Sequence, residues 1–251
     1  MELELKNKVA LVTGASRGIG AAIARALAAH GVSVIINYKN SKQKAETLLA
    51  EIKKNGGTGM IAQADVREND AVTQMVKNAI KEFGKIDILF NNANIDFPVK
   101  PFIAFSWMEM EAKIMGEMKA LYNCSQAVLK GMIQQKSGKL VFISSGLSRH
   151  PGFGFCAHAA AKSAVDSIAR VMAVELGPSG ITVNVIGPGL VTTDATIHLP
   201  PEVHSRTAEI TPLKRVGVPD DIAGVAVFLA SRLSDFLTGE YIPVNGGIFM
   251  L

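Results

Sequence analysis

Seven short apolar segments, separated by longer amphipathic ones, are the feature that most limits the folds open to this chain of 251 residues. The short segments are rich in valine and isoleucine, which favour β-strands, and they cover residues 8–14, 32–38, 59–65, 86–92, 139–145, 182–189 and 240–247. Apolar residues at helical spacing lie between them, near 18–30, 41–55, 68–83, 106–135, 157–177 and 219–231. Strands that are apolar throughout and alternate with helices predict an α/β fold, a doubly wound parallel seven-stranded sheet with helices on both faces.

The chain shows no sign of an internal boundary. It contains no linker rich in proline, glycine and serine and no internal repeat, so we predict a single domain over residues 1–251. Residues 187–215 form one long stretch without a clear helical or strand pattern. Stretches of that length in compact domains are usually binding loops, and we predict a flexible substrate loop there.

Composition excludes several classes of function. The chain is 48% hydrophobic and 19% charged with a net charge of +4, and it has no basic block of the kind that binds nucleic acid. No apolar run is long enough to span a membrane, and the first residues lack the apolar core of a signal peptide, so we expect a cytoplasmic protein. Cys124 and Cys156 have no metal-binding spacing, and we expect no metal site.

A glycine-rich turn follows the first predicted strand and opens the first predicted helix. Gly14, Gly18 and Gly20 allow a tight turn and a close approach of the backbone to a ligand. The amide groups at the start of the helix can then hold a pyrophosphate. A strand, this turn and a helix in that order predict a dinucleotide site.

The end of the second predicted strand bears on the choice of dinucleotide. Sites for NAD usually place an acidic residue there, which accepts hydrogen bonds from the ribose hydroxyls. This chain has Asn37 instead, followed by Lys39 and Lys42, and Arg17 lies within the glycine turn. Cations without a carboxylate favour the additional 2′-phosphate, so we predict NADP(H) over NAD(H).

Several motifs together make the chain resemble the short-chain dehydrogenase/reductase family over almost its whole length. They are TGASRGIG (13–20), ADV (64–66), NNA (91–93), ISS (143–145), the helix with Lys162, GPG (187–189) and NGG (245–247). The resemblance implies a Rossmann-like domain that uses NAD(P)(H) to reduce or oxidise a carbonyl, an alcohol or an activated double bond. Within the family, the chain is similar to 3-oxoacyl-[acyl-carrier-protein] reductases and related enoyl reductases, through INY at 36–38 and residues 119–132.

The resemblance also implies which residues contact the cofactor. Those carried over from the family are Gly14, Ser16, Arg17, Gly18, Ile19 and Gly20 in the turn; Asn37, Tyr38 and Lys39 after the second strand; Asp65 and Val66 beside the adenine; Asn91 and Ala93 at the nicotinamide ribose; and Lys162, Pro188, Gly189, Val191 and Thr193. The implied partners are a small-molecule substrate, such as an acyl thioester on carrier protein or coenzyme A, and further copies of the chain in a homodimer or homotetramer.

The catalytic group of the family is matched only in part. The family uses a Tyr as proton donor, a Lys four residues later, a Ser that orients the substrate, and an Asn on the preceding long helix. Here Ser145 and Lys162 match, whereas His158 stands at the Tyr position and Glu117 at the Asn position. Some enoyl reductases place the Tyr seven positions before the Lys, but that residue is Phe155. The three tyrosines, Tyr38, Tyr122 and Tyr241, are not expected to reach the site.

His158 and Glu117 leave several functions open. A neighbouring cation favours the neutral form of a histidine, so Lys162 alone would make His158 a poor acid. We hypothesise that Glu117 favours protonation of His158 and makes it the proton donor of an NADPH-dependent reductase of 3-oxoacyl or related thioesters. One alternative is a protein that binds NADP(H) with little or no turnover, as a sensor or structural subunit. Another is a non-redox lyase or isomerase in which His158 and Glu117 move protons.

Overall fold

The computed structural model describes residues 2–250 and contains a seven-stranded sheet. The strands are β1 (Val9–Val12), β2 (Ser33–Tyr38), β3 (Gly59–Gln63), β4 (Ile88–Asn91), β5 (Gly138–Ile143), β6 (Ile181–Pro188) and β7 (Tyr241–Val244). Their order is β3-β2-β1-β4-β5-β6-β7, and every neighbouring pair is parallel. The predicted seven-stranded parallel sheet is therefore confirmed.

Helices cover both faces of this sheet. They are α1 (Gly18–Ala29), α2 (Lys42–Lys54), α3 (Asn69–Phe83), α4 (Trp107–Gln135), α5 (Cys156–Leu176), α6 (Pro201–Ile210) and α7 (Pro219–Ala230). One apolar core packs α1, α2 and α7 on one face, and the other core packs α3, α4 and α5 on the opposite face. Because each central strand is buried on both sides, all four residues of β1 are apolar.

Helix α6 is a correction to the prediction of an irregular loop over 187–215. Pro200 and Pro201 open the helix, where a missing backbone N–H costs nothing. None of its ten residues is buried, and apart from Pro201 only Val203, Ala208 and Ile210 are apolar, so the segment is too short and too polar to stand out from a loop in the sequence. Within residues 2–250, no helix has both the length and the apolar character needed to cross a bilayer.

The strand order reverses between β1 and β4, and this position determines where a ligand can bind. In open α/β sheets, ligands occupy the crevice at the carboxyl ends of the strands where the order changes. The glycine turn after β1 and residues 91–95 after β4 border this crevice here. Glu117, in the middle of α4, and the first turns of α5 lie on the α4–α5 side of the same crevice.

Candidate active site

The glycine turn is held against β4 by close backbone packing. Gly14 has a φ of +60°, and a Cβ on it would lie 2.9 Å from the Cα of Ala93, closer than real Cβ contacts. Thr13 Oγ1 accepts hydrogen bonds from the amides of Asn92 and Ala93 at 2.9 and 3.0 Å. The Asn92 side chain donates to the Thr13 carbonyl at 2.8 Å. The ends of β1 and β4 therefore form one rigid edge of the crevice.

The N-terminus of α1 is open to this crevice. Its N-cap residue, Arg17, has no capping hydrogen bond from its side chain. The amides of the first helical turn have no partner within a helix, and together with the helix dipole they favour an anion. Gly18, with a φ of +57°, lies beside Thr193, whose Cβ would be 3.6 Å from an added Cβ. The turn, the helix start and the segment after β6 therefore meet at a place that suits a pyrophosphate.

The side chains of Asn37 and Tyr38, two predicted cofactor contacts, are buried and contact other residues of the protein. Asn37 is buried; its Oδ1 accepts from the Gly14 amide at 3.0 Å, and its Nδ2 donates to the carbonyls of Ala62 and Ala64. Tyr38 is buried in the core shared by α1 and α2. The Asn37 side chain therefore positions Gly14 within the protein, and a contact of Asn37 or Tyr38 with the cofactor stays a prediction.

Charged side chains gather beyond the ends of β2 and β3. Lys39 Nζ is 2.9 Å from Asp65 Oδ2, and Arg67 Nη2 is 2.6 Å from the same oxygen. Arg67 first, and Lys39 after it, hold the pKa of the Asp65 carboxyl well below its ordinary value despite partial burial. Lys39 is half exposed and Arg17 is exposed, so both remain accessible to a ligand.

The remaining predicted cofactor residues lie around the crevice at the ends of β3, β4 and β6. Val66 is buried after β3, and Asn91 Nδ2 donates to Ser125 Oγ on α4 at 3.3 Å. Pro188 ends β6, the Gly189 amide donates to Val244 at 3.1 Å, and Val191 is buried. The structure also describes Ser16 and Ile19 as partly buried residues of the glycine turn.

Glu117 lies between two buried lysines. Lys113 Nζ donates to Glu117 Oε1 at 2.6 Å, and Lys162 Nζ donates to Glu117 Oε2 at 3.1 Å. The Ile95 amide also donates to Oε1, at 3.1 Å. Burial opposes ionisation, but Lys162 and Lys113 outweigh it and lower the pKa of Glu117 to about 2. Glu117 is therefore a firmly ionised carboxylate.

His158 is buried and stacked against an aromatic ring. Its ring centroid lies 4.5 Å from that of Phe97, with the planes 17° apart. Burial, then the positive charges of Lys162 and Lys113, lower the pKa of His158 to about 3, although Glu117 acts in the opposite direction. The expected pair of His158 and Glu117 is thus corrected: Glu117 contacts the two lysines, and His158 is neutral near pH 7.

Ser145 follows β5 at the edge of the crevice. Its Oγ accepts from the Leu147 amide at 3.2 Å, and the preceding Ser144 donates to the Lys162 carbonyl at 3.4 Å. The Tyr241 hydroxyl donates to the Ser145 carbonyl at 3.0 Å, so this tyrosine contacts the backbone of Ser145. Burial raises the pKa of Tyr241, and its hydroxyl hydrogen is engaged in the hydrogen bond to that backbone carbonyl.

A small cavity joins the two sides of the site. Its volume is about 10 Å³, and its walls include Thr13 and Ala93 from the glycine-turn side and Glu117 and Lys162 from the helices. Asn91 also lines it. The structure therefore brings to one cavity residues from the end of β1, from β4, from α4 and from α5 that are far apart in the chain.

Two residues of this site were missed from the sequence. Lys113 lies one helical turn before Glu117, and this spacing could have indicated an ion pair on α4. Phe97 has no such signal, because it lies in an irregular segment whose path is set by the fold. The Lys113 ammonium lies 4.7 Å from the centre of the Phe97 ring, whose stacking partner is His158.

The fold and the glycine turn define a dinucleotide-binding α/β protein, and comparison with known proteins narrows the class. A sequence profile described as enoyl-(acyl carrier protein) reductase matches residues 14–249. The 3-oxoacyl-[acyl-carrier-protein] reductase FabG of Staphylococcus epidermidis is 39% identical over 244 residues, covering 97% of this chain and all of that protein. The 3-oxoacyl-[acyl-carrier-protein] reductase of Synechocystis is 39% identical over 249 residues, 98% of each chain.

Solved structures agree with these relatives. A 7α-hydroxysteroid dehydrogenase complexed with NADH and 7-oxo glycochenodeoxycholic acid superposes with a TM-score of 0.93 at 32% identity, covering 98% of this chain and 96% of that one. The chain belongs to the short-chain dehydrogenase/reductase family. Members of this family are oxidoreductases, and the chain is assigned to that class of enzyme.

Proposed function

We propose that the chain is an NADPH-dependent reductase that transfers hydride to the carbonyl or enoyl carbon of an acyl thioester. The observation that carries the proposal is that the end of the glycine-turn strand and the buried charges of α4 and α5 meet, with Thr13 and Ala93 on one side of a small cavity and Glu117 and Lys162 on the other. A dinucleotide with its pyrophosphate at the start of α1 and its nicotinamide ribose beside Lys162 would extend along this edge. The acyl substrate is proposed from the reductases to which the chain is similar.

The residues present fit such a cofactor. The close approach of Gly14 to Ala93 leaves no room for a side chain, and the uncapped start of α1 offers amide donors to a pyrophosphate. Lys162 has spent two of its three ammonium hydrogens, on Ile143 and Glu117, so one remains for a ribose hydroxyl. When bound, the nicotinamide would supply the hydride.

The preference for NADPH rests on the charges near the end of β2. Asn37 leaves this strand end without a carboxylate, and its amide is fully engaged in the protein. Arg17 and Lys39 are exposed cations that suit a 2′-phosphate, and Lys39 would exchange its ion pair with Asp65, at 2.9 Å, for the phosphate. Lys42 pairs with Glu46 at 3.6 Å. The double variant Arg17→Ala/Lys39→Ala should lower affinity for NADPH at least tenfold and leave affinity for NADH nearly unchanged, as calorimetry would measure. Equal losses for both would refute the preference.

The proposed proton donor is the neutral ring of His158. Its Nδ1 atom is buried and lacks a hydrogen-bond partner among residues 2–250, so it has hydrogen-bonding capacity to offer a substrate oxygen once binding displaces the residues that cover it. Ser145 and His158 would bind the substrate oxygen, and the charge of Lys162 would stabilise the negative charge that hydride transfer creates. A neutral imidazole is a weak acid, so protonation would be slow compared with that by an activated phenol.

The environment of the His158 ring also favours a second candidate function, cofactor binding without turnover. Because Phe97 stacks on His158 and the pKa of His158 is about 3, the site has no strong proton donor at neutral pH. The chain would then bind NADPH without turnover, as a sensor or a subunit beside an active relative.

One set of assays separates the candidates. Calorimetry measures NADPH binding, and nicotinamide absorbance is followed with 3-oxoacyl and enoyl thioesters at several pH values. Turnover that falls at least tenfold in His158→Phe would support the reductase, with Ser145→Ala expected to lose activity as well. Binding without oxidation of NADPH would support the second candidate. Loss of substrate at constant nicotinamide absorbance would indicate a lyase or an isomerase.

A further inference from the structure

Lys113 is a buried cation beside the proposed hydride-transfer site. Its side chain is fully buried, and its ammonium donates to Asn94 Oδ1 at 2.9 Å, to the Ile95 carbonyl at 2.7 Å and to Glu117 at 2.6 Å. These three bonds use every hydrogen of the ammonium, so Lys113 has none left for a ligand. What it can still contribute to the site is its charge.

The charges of the buried cluster do not cancel. Lys113 and Lys162 share the single carboxylate of Glu117, one on each oxygen. Without Lys113, Glu117 would balance Lys162 one to one, and the site would be neutral. With Lys113 present, the three side chains together carry one positive charge in a region from which water is largely excluded, where charge acts strongly.

We propose that Lys113 is a positioning residue that offsets Glu117, so that Lys162 presents an uncompensated positive charge to the nicotinamide ribose and to the substrate oxygen. This inference rests on the proposed function, because it assumes that the ribose lies beside Lys162. Lys113 acts through Glu117 and touches neither substrate nor cofactor. The substrate it favours is one whose reacting oxygen becomes negative, an oxyanion or an enolate.

The charge of Lys113 also predicts a pH dependence. Burial lowers the pKa of Lys113 to about 8; Lys162 acts in the same direction, while Glu117 and Asp96 oppose it. The neutral ring of His158 faces the same cluster from α5. Above about pH 8 Lys113 loses its proton, and the net charge of the three side chains falls from one positive charge to none.

Three variants test the charge count. Lys113→Met leaves Glu117 and Lys162 with no net charge, and Glu117→Gln leaves two positive charges. The double variant Lys113→Met/Glu117→Gln keeps Lys162 alone and restores the wild-type net charge. Lys119→Met, at an exposed lysine of the same helix, is the matched control.

Calorimetry with NADPH and the pH profile of kcat/KM are the two measurements. We expect Lys113→Met to weaken NADPH binding about tenfold and the double variant to recover to within about threefold of the wild type. The wild type should lose kcat/KM above about pH 8, and this loss should be absent from the double variant. If Lys113→Met does not fold, the test is the pH profile of kcat/KM. The double variant should lack the alkaline loss that the wild type and Lys119→Met both show.

The outcomes separate this inference from the proposed function. If the wild type and Lys113→Met bind NADPH with equal affinity, the role of Lys113 is overturned and the proposed function still stands. A double variant no better than the single one, or one that keeps the alkaline loss, would have the same consequence. A wild-type protein that binds no nicotinamide dinucleotide would overturn the proposed function itself.

Discussion

The two ends of the crevice are built from different kinds of chemical group. The end formed by the glycine turn is made of backbone groups and neutral side chains, with Thr13, Asn37 and Asn92 holding the loop in place. The end formed by α4 and α5 is made of buried charges, with Glu117 shared between Lys113 and Lys162. A site made of backbone depends on turn geometry, whereas a site made of buried charges depends on each charge having its partner.

The largest expected effect is at the charged end. Glu117→Ala leaves Lys113 and Lys162 buried side by side without an anion, and we expect a loss of about 3–5 kcal/mol in the free energy of unfolding. Denaturant titration measures this loss. Glu111→Ala, at an exposed glutamate of the same helix, should change stability by less than about 0.5 kcal/mol. Equal losses in the two variants would contradict the buried-charge account.

The next effect is at the backbone end. Gly14→Ala puts a side chain into left-handed backbone and 2.9 Å from Ala93, and we expect a cost of about 1–3 kcal/mol. Calorimetry should show at least a tenfold loss in NADPH affinity as the turn shifts. Gly56→Ala is the control, because Gly56 has a φ of +81° but open space around it. It should cost stability only, and a comparable loss of binding there would refute the close-approach argument.

The dependence of stability on pH probes the charged end of the crevice without any ligand. The pKa of His158 is lowered from 6.5 to about 3, so the unfolded chain binds a proton in this range that the folded chain does not. Stability of the wild type should therefore fall as pH drops below 6.5, by about 1.4 kcal/mol per pH unit at most from this group. His158→Gln should show a shallower fall, and His30→Gln, at an exposed histidine, should follow the wild type.

The smallest effect concerns the tyrosine behind Ser145. Tyr241→Phe removes one hydrogen bond to a carbonyl, and we expect a cost of about 1 kcal/mol in unfolding measurements. Turnover of thioesters should be unchanged, because the hydroxyl proton is not directed at the site. A loss of turnover greater than about tenfold, with the fold intact, would make Tyr241 the missing phenol.

The backbone end was predictable from the sequence because its signals are local. Gly14, Gly18 and Gly20 follow an apolar strand, and a β-strand, a tight turn and a helix are the short-range consequences of such a pattern. The same holds for the seven strands and for six of the helices. Helix α6 was missed because it has only ten residues, most of them polar, and buries none of them.

The charged end was predictable only in part. The sequence and its family resemblance indicated Glu117, His158 and Lys162, but not which of them are in contact. Glu117 was expected to pair with His158, whereas Lys113 occupies one of its oxygens and Lys162 the other. Contacts between side chains of α4 and α5 depend on helix packing, and single-sequence reasoning does not determine that geometry.

The exchange of strand order between β1 and β4 has a consequence for the growing polypeptide. β2 and β3 are synthesised before β4, so one edge of β1 stays unpaired until residues 88–91 have left the ribosome. Asn92, whose side chain donates a hydrogen bond to the Thr13 carbonyl at the start of the glycine loop, is synthesised immediately after that strand. The glycine loop therefore acquires its final shape only once residues up to Asn92 have emerged, and a shorter nascent chain has an incomplete version of the proposed pyrophosphate site.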